Sequence, residues 1–190
     1  MNRRSLLLGA AALLTSPAQA KPAQGLFIAD SPKVLPALDI RDENSRAAGL
    51  DTLSGRPVLL NLWASWCGPC VAELPMLDRL KPRLEDKGIA LVALSLDRSG
   101  KIAVANTFAR IGITALGIRT DESRAAAEKL DAAVLPVTLL LDREGREVAR
   151  YVGAADWGSP PAQALLEALA TGRKPTPEMA PPQLRFTSAP

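Results

Sequence analysis

Val58-Leu59-Leu60-Asn61-Leu62-Trp63-Ala64-Ser65-Trp66-Cys67-Gly68-Pro69-Cys70 is the stretch on which the rest of the chain turns. Its first six residues form an apolar run of the length expected for a central strand. The residues after Cys70 read as a helix. The two cysteines, the only two in the chain, therefore sit where a strand hands over to a helix N-terminus. Unpaired backbone N–H groups and the positive end of the helix dipole stabilise a thiolate there. The thiolate is the form of cysteine that attacks a disulfide.

Three uses of the pair compete. A structural staple gains stability with the length of the loop it closes, and this loop is minimal. A zinc site needs four ligands, usually Cys or His, and the chain has no histidine and no third cysteine. Redox exchange is the reading that the strand–helix context favours.

The 190 residues make one domain of ordinary size. The first twenty stand apart, with Arg3-Arg4, an apolar stretch from Leu6 to Leu14, and Ala18-Gln19-Ala20 as a small-x-small site. This is the pattern of a secretory signal peptide over residues 1–20, cleaved after Ala20. Asn2-Arg3-Arg4-Ser5-Leu6-Leu7 also resembles a twin-arginine signal, and an uncleaved anchor is the other reading. Either places the domain outside the cytoplasm. Beyond residue 20 the chain carries 21 Lys+Arg against 20 Asp+Glu, a net +1. That balance gives no case for nucleic-acid binding.

Residues 21–33 show little periodicity and read as a linker. Leu38-Asp39-Ile40 could begin an edge strand, and Leu50 to Gly55 is a turn. After the cysteines, Val71, Leu74, Leu77, Leu80 and Leu84 recur at helical spacing. Pro75 lies inside that helix, Pro82 is a second candidate break, and Lys87-Gly88 stops it. Ile89 to Leu96 is a second apolar strand, which makes a parallel βαβ unit with the first. Ile102, Ala105, Phe108 and Ala109 form a short helix, Leu116 to Arg119 a short strand, and Asp121 to Leu130 another helix capped by Thr120 or Asp121. Val137–Leu141 and Glu147–Tyr151 flank an Asp-x-x-Gly turn as a hairpin. A helix follows within Asp156 to Ala170. Residues 173–190 are proline-rich and read as a disordered tail, with a docking role for Leu184 and Phe186 as the alternative.

This order is similar to the thioredoxin fold: an α/β domain over residues 34–172, a mixed central sheet flanked by helices, with a helix–strand insertion between the second strand and the second core helix. The residues from Val58 to Pro75 resemble the signature of the periplasmic TlpA/ResA-type thiol-disulfide reductases. Val134-Leu-Pro-Val-Thr-Leu-Leu-Leu-Asp-Arg-Glu-Gly is similar to the family's second signature. Val152-Gly-Ala-Ala-Asp-Trp is most similar to the TlpA branch.

The resemblance implies roles for particular residues. Cys67 becomes the exposed nucleophile and Cys70 the more buried resolving thiol; attack, mixed disulfide and resolution follow in turn. Trp66 shields the pair, the alternative being an ordinary core tryptophan. Pro136 stands at the family's cis-proline, and the backbone of Leu135 pairs with a substrate strand. Glu73 occupies an acidic position one turn beyond Cys70, suited to relaying its proton; otherwise it is a surface glutamate favoured by the helix dipole. Asn61 departs from cytoplasmic thioredoxins, which hold a buried aspartate there. No cofactor beyond the redox-active Cys67–Cys70 disulfide is implied. The implied partners are a client protein with a disulfide (a copper chaperone, an oxidase subunit or apocytochrome c) and a membrane electron donor that recharges a monomeric periplasmic protein. Gly68-Pro69 resembles thioredoxin and suggests a fairly reducing couple.

Two other functions are weaker fits. A thiol peroxidase needs Thr or Ser three residues before its attacking cysteine, and Ala64 stands there. A copper-binding chaperone would use the two thiolates for Cu(I), but the histidine it also needs is missing and the cysteine spacing is wrong.

Overall fold

A computed structural model describes residues 23–184. The expected signal peptide (1–20) and the last residues of the expected tail, Phe186 among them, lie outside the described residues. In chain order the elements are β1 (Gly25–Val34), β2 (Arg41–Asp42), β3 (Val58–Trp63), α1 (Gly68–Asp86), β4 (Ala90–Ser95), α2 (Gly100–Ile111), β5 (Arg119–Thr120), α3 (Ala125–Lys129), β6 (Val137–Leu141), β7 (Arg146–Val152) and α4 (Pro160–Thr171). Among the described residues, seven strands form one mixed sheet in the order β1-β7-β6-β3-β4-β5-β2. The α/β architecture is the expected one, with α2 and β5 as the insertion.

Every residue of β3 and β4 is buried, because these parallel neighbours are covered on both faces. Side chains alternate across a strand. Leu59 and Trp63 of β3 therefore join one core layer with α1, α2 and α4, while Val58, Leu60 and Leu62 join the other with α3. Asn61, between Leu59 and Trp63 in the alternation, falls on the α1 side. Trp63 stacks on Phe108 of α2, ring centroids 5.6 Å apart, which docks the insertion.

Asp78 of α1 pins the return from that insertion. Its carboxylate accepts the backbone N–H of Thr114 (3.2 Å), Ala115 (2.7 Å) and Leu116 (2.8 Å). Burial works against its charge, but these donors prevail and hold its pKa below the ordinary carboxylate value. Asp78→Ala should cost about 2 kcal/mol, since it strands three N–H groups. Denaturant unfolding above pH 6 measures this, and a change too small to resolve would mean that water replaces the carboxylate.

Two expected boundaries need correction. The expected linker over 21–33 contains β1, which pairs antiparallel with β7 from Gly25↔Val152 to Val34↔Arg146. It is an edge strand with five consecutive exposed residues at its end, so it carries no clean alternation. Pro32, which cannot donate to a ladder, sits where the register shifts between Ile28 and Lys33. The expected disordered tail is ordered as far as Leu184. After α4 ends at Gly172 in the left-handed conformation, Pro177–Met179 makes a 3₁₀ turn, Pro175 and Pro181 are buried, and Met179 packs on the core. The segment lacks periodicity because it is an extended strap rather than a helix or strand with one apolar face.

Smaller differences follow the same logic. The short strands fall at Arg41–Asp42 and Arg119–Thr120, slightly later than expected. Pro82 does not end α1, which runs to Asp86. The helix expected from Asp121 shortens to Ala125–Lys129, yet Asp121 still serves its start by accepting from Ala126 N at 2.7 Å.

Candidate active site

The strand-to-helix handover delivers the two cysteines to the first turn of α1. They form a disulfide with S–S 2.03 Å and Cα–Cα 5.3 Å. Cys67 is the N-cap, and its sulfur accepts the Cys70 N–H at 3.3 Å. Pro69 lies in the first turn, where its missing N–H leaves no helical bond unmade. Cys67 is 7 % exposed and Cys70 1 %. The expected order of exposure is present, but Cys67 offers only a narrow face rather than an open thiol.

Trp66, beside it, is 61 % exposed and is no core tryptophan. The Arg124 guanidinium lies over its ring, 5.3 Å from the centroid, a cation–π contact.

The register of β6 against β3 sets Val137 opposite Leu62. Leu135 and Pro136 therefore lie at the end of the sheet from which β3 runs on to the cysteines. The Leu135–Pro136 peptide bond is cis. Pro136 is buried, Leu135 half-buried, and the Pro136 carbonyl accepts Gly153 N at 2.9 Å.

Glu73 is fully buried, which removes the surface reading. It lies three residues beyond Cys70, on the same side of α1. Its Oε1 accepts Ala155 N at 2.9 Å and Trp157 Nε1 at 2.7 Å, and its Oε2 accepts Asn61 Nδ2 at 3.2 Å. Asn61 also donates to Thr138 at 2.9 Å, its register partner in β6. Desolvation is the largest influence and outweighs the three donors, so the Glu73 pKa is pushed up to about 7. A carboxyl poised there both takes and returns a proton near neutral pH. The Asn61 Oδ1 has no partner among the described residues. An amide offers both donor and acceptor, so Asn61 suits either protonation state of Glu73.

Trp157, Thr138 and Asp97 did not come out of the sequence as site residues. A tryptophan in an alanine-rich stretch was the one available signal, because a buried indole N–H needs an acceptor. Asp97, two residues beyond the end of β4, accepts Ser65 N (2.9 Å), Ser65 Oγ (2.7 Å) and Ser95 Oγ (2.8 Å), which ties down the loop leading to Cys67.

The strap at residues 181–184 bears on Glu73. Asp156 N donates to the Pro182 carbonyl at 2.9 Å, Leu184 N to the Ala154 carbonyl at 2.9 Å, and Ala155 bridges Gln183. The strap thus fixes the short segment that supplies two of Glu73's three donors. Leu184→Pro deletes one of these bonds. Weakening the donors should raise the Glu73 pKa by roughly one unit beyond its already raised value, about the worth of one charged hydrogen bond. A carboxyl NMR titration reads this directly, and an unmoved midpoint would mean that the donors hold without the strap.

Comparison with known proteins gives a consistent result. Residues 30–166 match the Redoxin family. The thiol-disulfide oxidoreductase ResA of Bacillus thuringiensis (strain Al Hakam) is 30 % identical over 132 residues, covering 67 % of this chain and 75 % of that protein. ResA of Bacillus subtilis (strain 168) is 31 % identical over 118 residues, 62 % of this chain and 65 % of that one. Among solved structures, StoA from Bacillus subtilis superposes with a TM-score of 0.57 at 21 % identity, covering 72 % of this chain and 98 % of that one. A secreted thiol-disulfide isomerase from Corynebacterium glutamicum gives 0.62 at 20 % identity, covering 86 % and 98 %. At those identities the structures speak for the thioredoxin-like fold.

Proposed function

This chain belongs to the Redoxin family, and from that premise we propose that it is an extracytoplasmic protein thiol-disulfide oxidoreductase that reduces the disulfides of client proteins. One observation carries this most strongly: a single disulfide at the mouth of α1, with a buried carboxyl of pKa about 7 one turn further along the helix.

In the reduced protein the Cys67 thiolate attacks a client sulfur, and the client's other sulfur leaves as a thiolate. Cys70 gives its proton to the Glu73 carboxylate and attacks Cys67. The second client sulfur departs as a thiolate; Glu73 returns its proton to one client thiolate and solvent protonates the other. Two electrons pass to the client, which ends as a dithiol, and the chain ends as the Cys67–Cys70 disulfide. A dithiol donor at the membrane recharges it by the reverse exchange. Trp66 and the backbone at Leu135, beside the cis Pro136, form the surface on which the client strand lies.

The likeness to TlpA/ResA-type proteins supports two client classes in the periplasm: a copper chaperone or oxidase subunit awaiting copper, and apocytochrome c awaiting haem. Cys70→Ser decides between them. That variant attacks but cannot resolve, so the client should stay joined to Cys67 through a bond that dithiothreitol releases. Capture of a copper protein assigns the chain to copper-site assembly, capture of apocytochrome c assigns it to haem attachment, and an empty trap overturns both client assignments.

A further inference from the structure

The surface beside Trp66, next in sequence to Cys67, carries two arginines, Arg98 and Arg124, that form no ion pair among the described residues. A hollow of about 420 Å³ adjoins Trp66, with Ser65, Asp97, Arg98, Ser99 and Arg124 among its walls. Arg98 is exposed. Arg124 lies over the Trp66 ring. Stacking uses the face of a guanidinium and leaves its N–H edge free to donate.

Of the acidic groups nearby, Asp97 and Asp121 are 4 % and 3 % exposed, so neither presents its carboxylate to a docking client. Both oxygens of Asp97 are taken by Ser65 and Ser95. Asp121 accepts from Ser123 Oγ (2.5 Å) and Ala126 N (2.7 Å). The Glu122 side chain lies against Gly100, at the start of α2, where the helix dipole favours its charge. No ion pair among the described residues involves Arg98 or Arg124. Two arginines therefore line one hollow with an exposed tryptophan next in sequence to Cys67, on a chain whose charge beyond residue 20 is close to balanced.

We propose that Arg98 and Arg124 select client segments that carry carboxylates next to their disulfide, with Trp66 as the apolar platform in the same hollow. This rests on the reductase reading and narrows its substrate class. Complementary charge raises the rate of encounter more than it deepens binding. The arginines should therefore act on the second-order rate of mixed-disulfide formation and leave the resolving step alone.

The test uses three disulfide peptides of one sequence, flanked by Asp, Ser or Lys, and the reduced full-length protein. Each rate is divided by the rate of the same peptide with dithiothreitol, because flanking charge also alters the intrinsic reactivity of the disulfide. The Asp peptide should react on the order of tenfold faster than the Lys peptide at about 20 mM salt, and the gap should close near 0.5 M as screening shortens. Arg98→Glu with Arg124→Glu should reverse the order. Equal normalised rates for all three peptides would overturn the proposal while leaving the reductase intact. No reduction of any peptide would remove the reductase reading and the proposal with it. Arginine-dependent binding to phosphatidylglycerol vesicles without discrimination among peptides would give the surface to a membrane and also overturn it.

Discussion

Cys67→Ser should reduce the rate of client-disulfide reduction by more than about three orders of magnitude, to the level of the reductant alone. A serine hydroxyl is not ionised near neutral pH and cannot form a bond that the second thiol resolves, so removing this nucleophile removes the pathway rather than slowing it. The fold should survive. The pair closes a four-residue loop, so its loss costs at most about 2 kcal/mol of chain entropy, while the surrounding core of β3, α1 and α4 is untouched. The measurement is peptide-disulfide reduction under dithiothreitol, with circular dichroism as the control for folding. Residual turnover within tenfold of the parent protein would show that Cys67 is not the attacking group. Cys70→Ser separates the steps: its first attack should proceed at a comparable rate, with turnover absent.

Glu73 should make the protein less stable as pH rises through neutrality, the opposite of the usual carboxylate. Its pKa in the folded chain is about 7 against an ordinary 4.5, so the folded state holds this proton more tightly than the unfolded state. The stabilisation is fully present below about pH 4.5 and is lost as pH rises through 7. Its size is on the order of 3 to 4 kcal/mol, from 2.5 pH units at roughly 1.4 kcal/mol each. Urea unfolding of the oxidised protein between pH 4.5 and 8.5, set against Glu73→Gln, isolates this contribution. The difference between the two should change by about that amount across the window. Parallel curves would mean that Glu73 keeps one protonation state throughout. In the reduced protein, the rate of the resolving step should show an inflection near pH 7 that Glu73→Gln abolishes.

The parts of the fold that could be read from the chain are those written in short-range patterns. The apolar runs at 58–63 and 89–96, the helical spacing of Leu74, Leu77, Leu80 and Leu84, and the Asp-x-x-Gly turn at 142–145 each fix one element by local periodicity. β1 and the strap at 181–184 were not legible, because each is an extended edge segment held by partners far along the chain. Gly25 pairs with Val152, and Gln24 meets Gln183. Their proline-bearing sequences without clean alternation match those of a linker and a loose tail.

The site divides along the same line. The sequence alone placed two lone cysteines at a strand–helix junction, ruled out a histidine-supported metal site, and put Glu73 one turn beyond Cys70. Only the tertiary structure decided what Glu73 is: a carboxyl whose proton is held near pH 7. Its donors Ala155 and Trp157 lie 82 and 84 residues away. Its desolvation comes from everything packed around it. Charge balance beside Cys67 is equally non-local, since Arg124 reaches Trp66 only once the insertion has folded back. Backbone periodicity depends on neighbours a few residues apart and survives in one dimension. The energy of a buried charge depends on all its surroundings and exists only once the chain has closed around it.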